Sequence, residues 1–148
     1  MRALALTALL ASPALAADVC HDINAGAGWQ VMTVPAGQVQ GVRSSGFWSV
    51  DPALTPAGTQ GHGGPDATVL ATRTDPRPFS DARFGALLVR FEAAGQAQVM
   101  DWTRFHGAVS QSGVFNMNVG QIAFRINEGD AELADNDGTL TVCFEYLD

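Results

Sequence analysis

The fold is decided by residues 121–144, QIAFRINEGDAELADNDGTLTVCF. Apolar and polar side chains alternate through 121–126, and they alternate again from residue 139 to residue 144. Alternation over four to eight residues is typical of a strand with one face on the core and one face in water. The stretch therefore predicts two strands joined by the polar loop 127–138.

The loop 127–138 is rich in side-chain oxygens, with five carboxylates and two asparagines. Carboxylates this close repel one another unless they are solvated or neutralised, and Ca²⁺ neutralises such groups by taking about six to eight oxygens. Calcium is therefore the candidate cofactor of this loop. The alternative is a solvated hairpin tip without a metal, turned at Asp137-Gly138. The helix-flanked calcium loop does not fit, because Leu133 and Phe144 occupy two of its ligand positions.

The N-terminal residues have the composition of a secretory signal peptide. A basic start is followed by an apolar run over 3–10 and by SPALA, a small-residue exit. We predict a signal peptide over 1–16, with cleavage after Ala16 or Ala17, and a secreted or periplasmic domain over 17–148. The apolar run is too short to remain in a bilayer as a spanning helix, so no membrane insertion is expected.

The chain contains two cysteines, Cys20 and Cys143. An exported location permits a disulfide between them, which would join the two ends of the domain. Two unpaired buried thiols are the alternative. A C-x-x-C motif is absent from the sequence, so redox catalysis has no support.

Composition limits the partners of the chain. Eight arginines and no lysines stand against fifteen Asp plus Glu, which gives a formal net charge of −7. Nucleic acids and anionic membrane surfaces bind basic patches, so neither is an expected partner. Calcium and neutral sugars are compatible with this charge.

Glycine content and short apolar runs favour an all-β sandwich in a single domain. The chain has 16 glycines, turn clusters interrupt it repeatedly, and no long helical pattern is visible. Residues 56–66 and 72–78 have loop composition. The predicted strands are 29–34, 38–50 with a break near 44–46, 86–92, 96–103, 113–119, 121–127 and 139–147.

Enzyme signatures are missing from the sequence. None of the serines lies in G-x-S-x-G or S-x-x-K, and no H-E-x-x-H occurs. Glycoside hydrolysis needs only two carboxylates at a suitable separation, which a sequence does not exclude. A sandwich of this length offers little room for a deep cleft, so we predict that the protein is not an enzyme.

The chain resembles the calcium-dependent, galactose-binding lectins of the LecA (PA-IL) type over about 29–142. The resemblance rests on SSGFWSVDP at 44–52, FGALLVR at 84–90, SGVF at 112–115 and the run 127–142. That last run matches in spacing without a gap and is the most specific. The resemblance implies a jelly-roll sandwich with calcium at one end, where two sugar hydroxyls complete the coordination.

Five calcium ligands are implied by this resemblance: the backbone carbonyls of Val50 and Glu132 and the side chains of Glu128, Asp135 and Asn136. The set is chemically sensible, because two carboxylates, an amide and two carbonyls leave positions for diol oxygens or water. The family usually has Asp where this chain has Glu128. The extra methylene shifts that ligand by about a bond length, which alters affinity in a compact site.

Sugar contacts are expected in the loop that follows Asp51-Pro52, where the family uses a His-containing segment. His62 and Asp66 are the first candidates here, with Gln60 and Asp75 behind them. Trp29, Trp48 and Trp102 are candidate stacking platforms, although core packing is the favoured reading for each in a domain with few aromatics. The phenylalanines assigned to the core are Phe47, Phe84, Phe91, Phe115 and Phe124.

Three functions follow for this chain, from different classes. The first is an exported calcium-dependent module that binds galactose-like sugars or glycans. The second is a calcium-stabilised structural or cell-envelope interaction domain without sugar binding, and the third is an enzyme acting on polysaccharide. Family members often associate, so the resemblance also leaves a homo-oligomer open.

Overall fold

The structure is a computed structural model that describes residues 18–93, 95–117 and 120–147. The predicted signal peptide, residues 1–16, lies outside the described residues. The strands are β1 (Val19–Asn24), β2 (Gln30–Thr33), β3 (Gly37–Ser49), β4 (Leu87–Ala93), β5 (Gln96–Asp101), β6 (Phe115–Met117), β7 (Gln121–Ile126) and β8 (Asp137–Tyr146). The helices are α1 (Gly64–Leu70), α2 (Trp102–Ser112) and a short 3-10 helix, Leu133–Asp135.

The strands form two antiparallel sheets, with the orders β1-β8-β3-β6 and β2-β7-β4-β5. The pairs β1–β8, β2–β7, β3–β6 and β4–β5 are those of one long antiparallel ribbon folded at β4–β5. Wrapping this ribbon around itself adds β8 beside β3 and β7 beside β4. This is the eight-stranded jelly roll, and the predicted all-β sandwich is confirmed.

The core lies between the sheets. Leu140, Val142 and Phe144 alternate along β8 and are fully buried, as the pattern of that strand predicts. Phe144 meets Phe124 of β7 across the core with 6.5 Å between ring centroids. Complete burial of such side chains contributes roughly 1.5–3 kcal/mol each. Arg125, on the opposite face of β7, is also buried, so this strand is covered on both faces rather than half exposed.

Helix α2 was not predicted, because 96–103 was assigned to a strand. β5 ends at Asp101, whose side chain accepts a hydrogen bond from the Arg104 backbone N–H at 3.0 Å and caps the helix. Trp102, Phe105 and Val109 are its buried residues. Their spacing of three and four is the helical signal that the strand prediction overlooked.

Helix α1 begins at the end of the predicted loop 56–66 and continues through residues for which no element was predicted. Pro65 occupies the first turn and Asp66 follows it, an arrangement that favours a helix start. Leu70 anchors the helix in the core. The helix start was not predicted, because the glycines before Pro65 are typical of a loop.

Strand β3 runs without the predicted break. Gly46 has a φ of +94°, a conformation open to glycine at little cost, and the ladder to β8 continues through it. Trp48 points into the core, and its neighbour Phe47 is 68% exposed. The assignment of Phe47 to the core was therefore wrong, because successive side chains of a strand face opposite ways. Asp137 and Gly138 also pair with β3 instead of turning a hairpin.

Strand β1 was missed by the sequence analysis and pairs with β8 at the sheet edge. Cys20 stands opposite Cys143 in this register, with 4.0 Å between Cα atoms, and the two form a disulfide. The predicted pairing is confirmed. Within the described ranges, no helix has both the length and the apolar character needed to cross a membrane.

Candidate metal centre

The acidic loop between β7 and β8 lies against the end of β3. Ser49, the last residue of β3, pairs with Asp137, the first residue of β8. The next residues outward, Val50 and Asn136, therefore lie across from each other. This register brings two distant parts of the chain together at one end of the sandwich.

Glu128 is the central side chain of this end and is fully buried. Its Oε1 accepts from Arg73 Nη1 at 3.0 Å, and Arg73 Nη2 bonds Asp51 Oδ2 at 3.0 Å. Burial raises the pKa of Glu128 to about 7, against the opposing charge of Arg73. The charges of Asp135 and Glu132 raise that pKa further, which places both carboxylates near it.

Two buried side-chain oxygens at this end receive no hydrogen bond from any described residue, Glu128 Oε2 and Asn136 Oδ1. Asn136 Nδ2 donates to the Ala25 carbonyl at 3.1 Å, so its oxygen is turned the other way. Within the described ranges, no hydrogen bond reaches the carbonyl oxygen of fully buried Val50 either. An unpaired buried acceptor costs about 1–3 kcal/mol, and a cation bound among these oxygens would offset that cost.

The atoms that could bind a cation at this end are mainly carboxylate, amide and carbonyl oxygens. The described residues contain no group of three or more His, Cys, Asp or Glu side chains placed to hold a metal. A calcium site at this end would therefore depend on amide and backbone carbonyl oxygens beside its carboxylates, and calcium binds all of these groups. Comparisons with protein-family models, curated proteins and solved structures find no match. The chemistry of the site therefore rests on its own geometry.

Arg125 fixes the backbone of the acidic loop from the buried outer face of β7. Its Nε donates to the Ile126 carbonyl at 3.1 Å, and its Nη2 donates to the Glu128 carbonyl at 2.6 Å. Nη1 pairs with Asp130 Oδ1 at 2.8 Å. Because three donors of one planar group grip the loop, the position of Glu128 is set before any ligand binds.

His62 supports the same site from the other side. The ring is buried, and its Nε2 accepts from the Val50 N–H at 3.3 Å. Nε2 is thus unprotonated and the neutral ring carries its proton on Nδ1, an atom without a partner in the described part of the chain. Burial lowers the pKa of His62, which favours this neutral form.

The predicted sugar contacts do not converge on one surface. His62 and Asp75 line a cavity of about 340 Å³. Asp66 lies close enough to raise the pKa of His62, and its Oδ2 accepts from the Thr55 N–H at 3.1 Å. Gln60 lines a neighbouring cavity with Asp81 and Asp101, and Arg83 lines both cavities.

Three arginines, Arg73, Arg77 and Arg83, line the cavity that holds His62 and Asp75, and we call it the arginine pocket. Sequence reasoning treated this part of the chain as ordinary surface loop. The signal was present, since a lysine-free chain with a carboxylate-rich loop places three of its eight arginines within eleven residues. A larger cavity of about 670 Å³ lies on the β2-β7-β4-β5 sheet, away from the acidic loop.

Proposed function

We propose that the protein is an exported, calcium-dependent carbohydrate-binding module of the galactose type. The observation that carries this proposal is the set of buried acceptor oxygens without hydrogen-bond donors, Glu128 Oε2, Asn136 Oδ1 and the Val50 carbonyl. Three acceptor oxygens cannot form hydrogen bonds with one another. They suit a hard cation that prefers oxygen.

The residues present fit calcium. Glu128, Asp135 and Asn136 would hold the ion through their side chains, and Val50 and Glu132 would do so through their backbone carbonyls. When bound, calcium supplies open coordination positions that two neighbouring sugar hydroxyls can fill. Arg73 occupies Oε1 of Glu128, which leaves Oε2 for the metal.

Hydrogen bonds from neighbouring residues hold the proposed metal ligands in place. His62 fixes the Val50 peptide, and Arg125 fixes the loop at Glu128. Asn136 is oriented by its amide bond to the Ala25 carbonyl. Such preorganisation lowers the entropy lost on binding and so strengthens affinity.

Export is the second part of the proposal. It is supported by the signal peptide predicted over 1–16 and by the disulfide between Cys20 and Cys143. Disulfides persist in oxidising compartments and are rare in the cytosol. The calcium concentration outside cells also suits a site of modest affinity.

Calcium titration by calorimetry tests the metal site, using Glu128→Gln and Asp135→Asn beside the unchanged protein. Removing one charged ligand should weaken calcium binding at least about tenfold, roughly 1.4 kcal/mol. Glu92→Gln is the matched control, because Glu92 is an exposed carboxylate of β4 that lies opposite Ala97, away from the acidic loop. Equal calcium binding in all four proteins would refute the site.

Sugar binding needs its own measurement. Galactose added to the calcium-loaded protein should give heat and raise the melting temperature, and chelator should abolish both effects. A calcium-stabilised domain without sugar binding is the second candidate, and it is favoured by the burial of His62 against Val50. That function predicts a melting temperature that rises with calcium and does not respond to galactose.

A further inference from the structure

The arginine pocket is a feature that calcium binding does not explain. Arg73, Arg77 and Arg83 line it, and Asp75 is the one carboxylate among its described lining residues. The whole chain is acidic, with a formal net charge of −7. A pocket lined by three arginines has a positive local charge in a protein whose net charge is negative. Such a pocket attracts anions.

Two of these arginines have no acidic partner. Arg73 is bound to Asp51 and Glu128. Among the described residues, Arg77, Arg83 and Asp75 form no ion pair. An unpaired guanidinium group presents a planar fork of N–H donors that matches a carboxylate or a sulfate.

The wall that carries these arginines is held rigidly beside the acidic loop. The buried amide of Asn127 donates to the carbonyls of Phe79, Ala82 and Arg83 at 2.9, 3.1 and 3.0 Å, and it accepts from the Phe79 N–H. Asn127 directly precedes Glu128. Asn127 thus joins residues 79–83 to the candidate metal ligand Glu128. Such a satisfied network fixes the position of Arg83 relative to Glu128.

Arg77 is oriented by two further contacts. Its Nη1 donates to the Ala82 carbonyl at 2.6 Å, and its guanidinium lies over the Phe84 ring at 4.6 Å. These contacts use one donor and one face of the group and leave other N–H donors for a ligand. The side chain of Arg83 is free of ion pairs in the described part of the chain and lies on the exposed rim.

We propose that the arginine pocket binds the carboxylate or sulfate group of an acidic glycan, with Arg77 and Arg83 contacting the anion. The pocket volume of about 340 Å³ lies at the lower end of the range for small-molecule sites and suits one charged sugar residue. The glycan part rests on the proposed function, because the adjoining sugar would extend toward Glu128. The anion part stands on the arginines alone.

Calorimetry with four probes tests the inference: galacturonate, galactose 6-sulfate, galactose and inorganic sulfate. The two acidic sugars should bind about tenfold more tightly than galactose, and added salt should reduce the difference. Arg83→Gln should abolish that preference. Arg43→Gln removes the same charge from the remote part of β3 that pairs with Cys143, and it should retain the preference.

A second variant gives a gain that misfolding does not mimic. Asp75→Asn removes the carboxylate that repels an anion in the pocket, so it should strengthen binding of the acidic sugars several-fold and leave galactose unchanged. No effect of Asp75→Asn together with no effect of Arg83→Gln would overturn the inference.

The outcomes separate this inference from the proposed function. Calcium-dependent galactose binding without any preference for the acidic sugars overturns the inference alone. Binding of acidic sugars that requires Arg83, together with no calcium-dependent binding of galactose, supports the pocket and overturns the proposed function. Inorganic sulfate binding as tightly as galactose 6-sulfate overturns the glycan assignment in favour of a small free anion. No binding of any probe overturns the pocket, whatever the calcium titration gives.

Discussion

At the scale of single residues, the candidate site is governed by charges that are partly compensated. Glu128 is fully buried, and only one of its two oxygens is paired, to Arg73. A buried carboxylate with one unpaired oxygen is costly when ionised. The calcium-free protein therefore carries a destabilising feature that a bound cation would relieve.

This feature predicts an unusual pH dependence. The pKa of Glu128 is raised to about 7 by burial from its ordinary 4.5, so the folded protein binds this proton more tightly than the unfolded chain. Its contribution to stability is complete below about pH 4.5 and is lost as pH rises to 7. The loss is about 3 kcal/mol. Urea unfolding in chelator across this range should show the decline.

Two comparisons make the pH prediction decisive. Glu128→Gln should remove the decline, because the glutamine is uncharged at every pH. Saturating calcium should also remove it, since the metal binds the ionised form. A decline that persists unchanged in Glu128→Gln would show that another group is responsible.

Gly85 is a second position where one residue controls the site. Its φ is +73°, and a Cβ atom there would lie 2.7 Å from His62 Cδ2. Gly85→Ala should therefore lower the free energy of unfolding by about 1–3 kcal/mol and weaken calcium binding through Val50. Gly58→Ala is the control, because no atom lies within 4 Å of a Cβ added there. Equal melting temperatures for both variants would contradict this prediction.

At the scale of elements, the ladder between β3 and β8 positions the candidate ligands. Ten residues of β3 pair with β8, and the last pair, Ser49 with Asp137, brings Val50 to the end of the sheet that carries Asn136. The acidic loop then closes back to β7 through Arg125 and Glu128. Helix α2 contributes differently, because it follows β5 directly and places Trp102 and Phe105 in the core.

The cap of α2 supports a prediction at this scale. Asp101 accepts the Arg104 N–H at 3.0 Å, so Asp101→Ala should lower the free energy of unfolding by about 1 kcal/mol. Asp101→Asn should retain most of the stability, since asparagine is an equally good cap. Chemical denaturation of both variants measures the difference, and a larger loss for the asparagine variant would refute the capping role.

At the scale of the whole molecule, the disulfide ties β1 to β8 across 123 residues of sequence. β1 is an edge strand that pairs only with β8 in the described structure. A covalent link at such an edge limits fraying and restricts the unfolded chain. It does not create the sandwich, whose core is formed mainly by β3, β4, β7 and β8 with helix α2 packed against them.

Replacing both cysteines by serine should lower the free energy of unfolding by about 2–5 kcal/mol. Urea denaturation of the double variant measures this loss, while its circular dichroism should still show the sheet. Calcium affinity should stay near that of the unchanged protein, because Cys20 and Cys143 lie away from the acidic loop. A variant that loses the sheet altogether would show that the disulfide is required for folding.

The sequence by itself determined the sandwich, the strand-loop-strand at 121–144 and the disulfide, because period-two patterning, turn residues and cysteine count are local signals. It also indicated a cation through the carboxylates of 127–138. The tertiary structure decided which positively charged side chain contacts these carboxylates. Arg73 reaches the Glu128 carboxylate from a segment 55 residues earlier in the chain, and a long-range contact of this kind leaves no periodic trace in a sequence. Helix α2 was missed for a related reason, since its start depends on the single cap at Asp101.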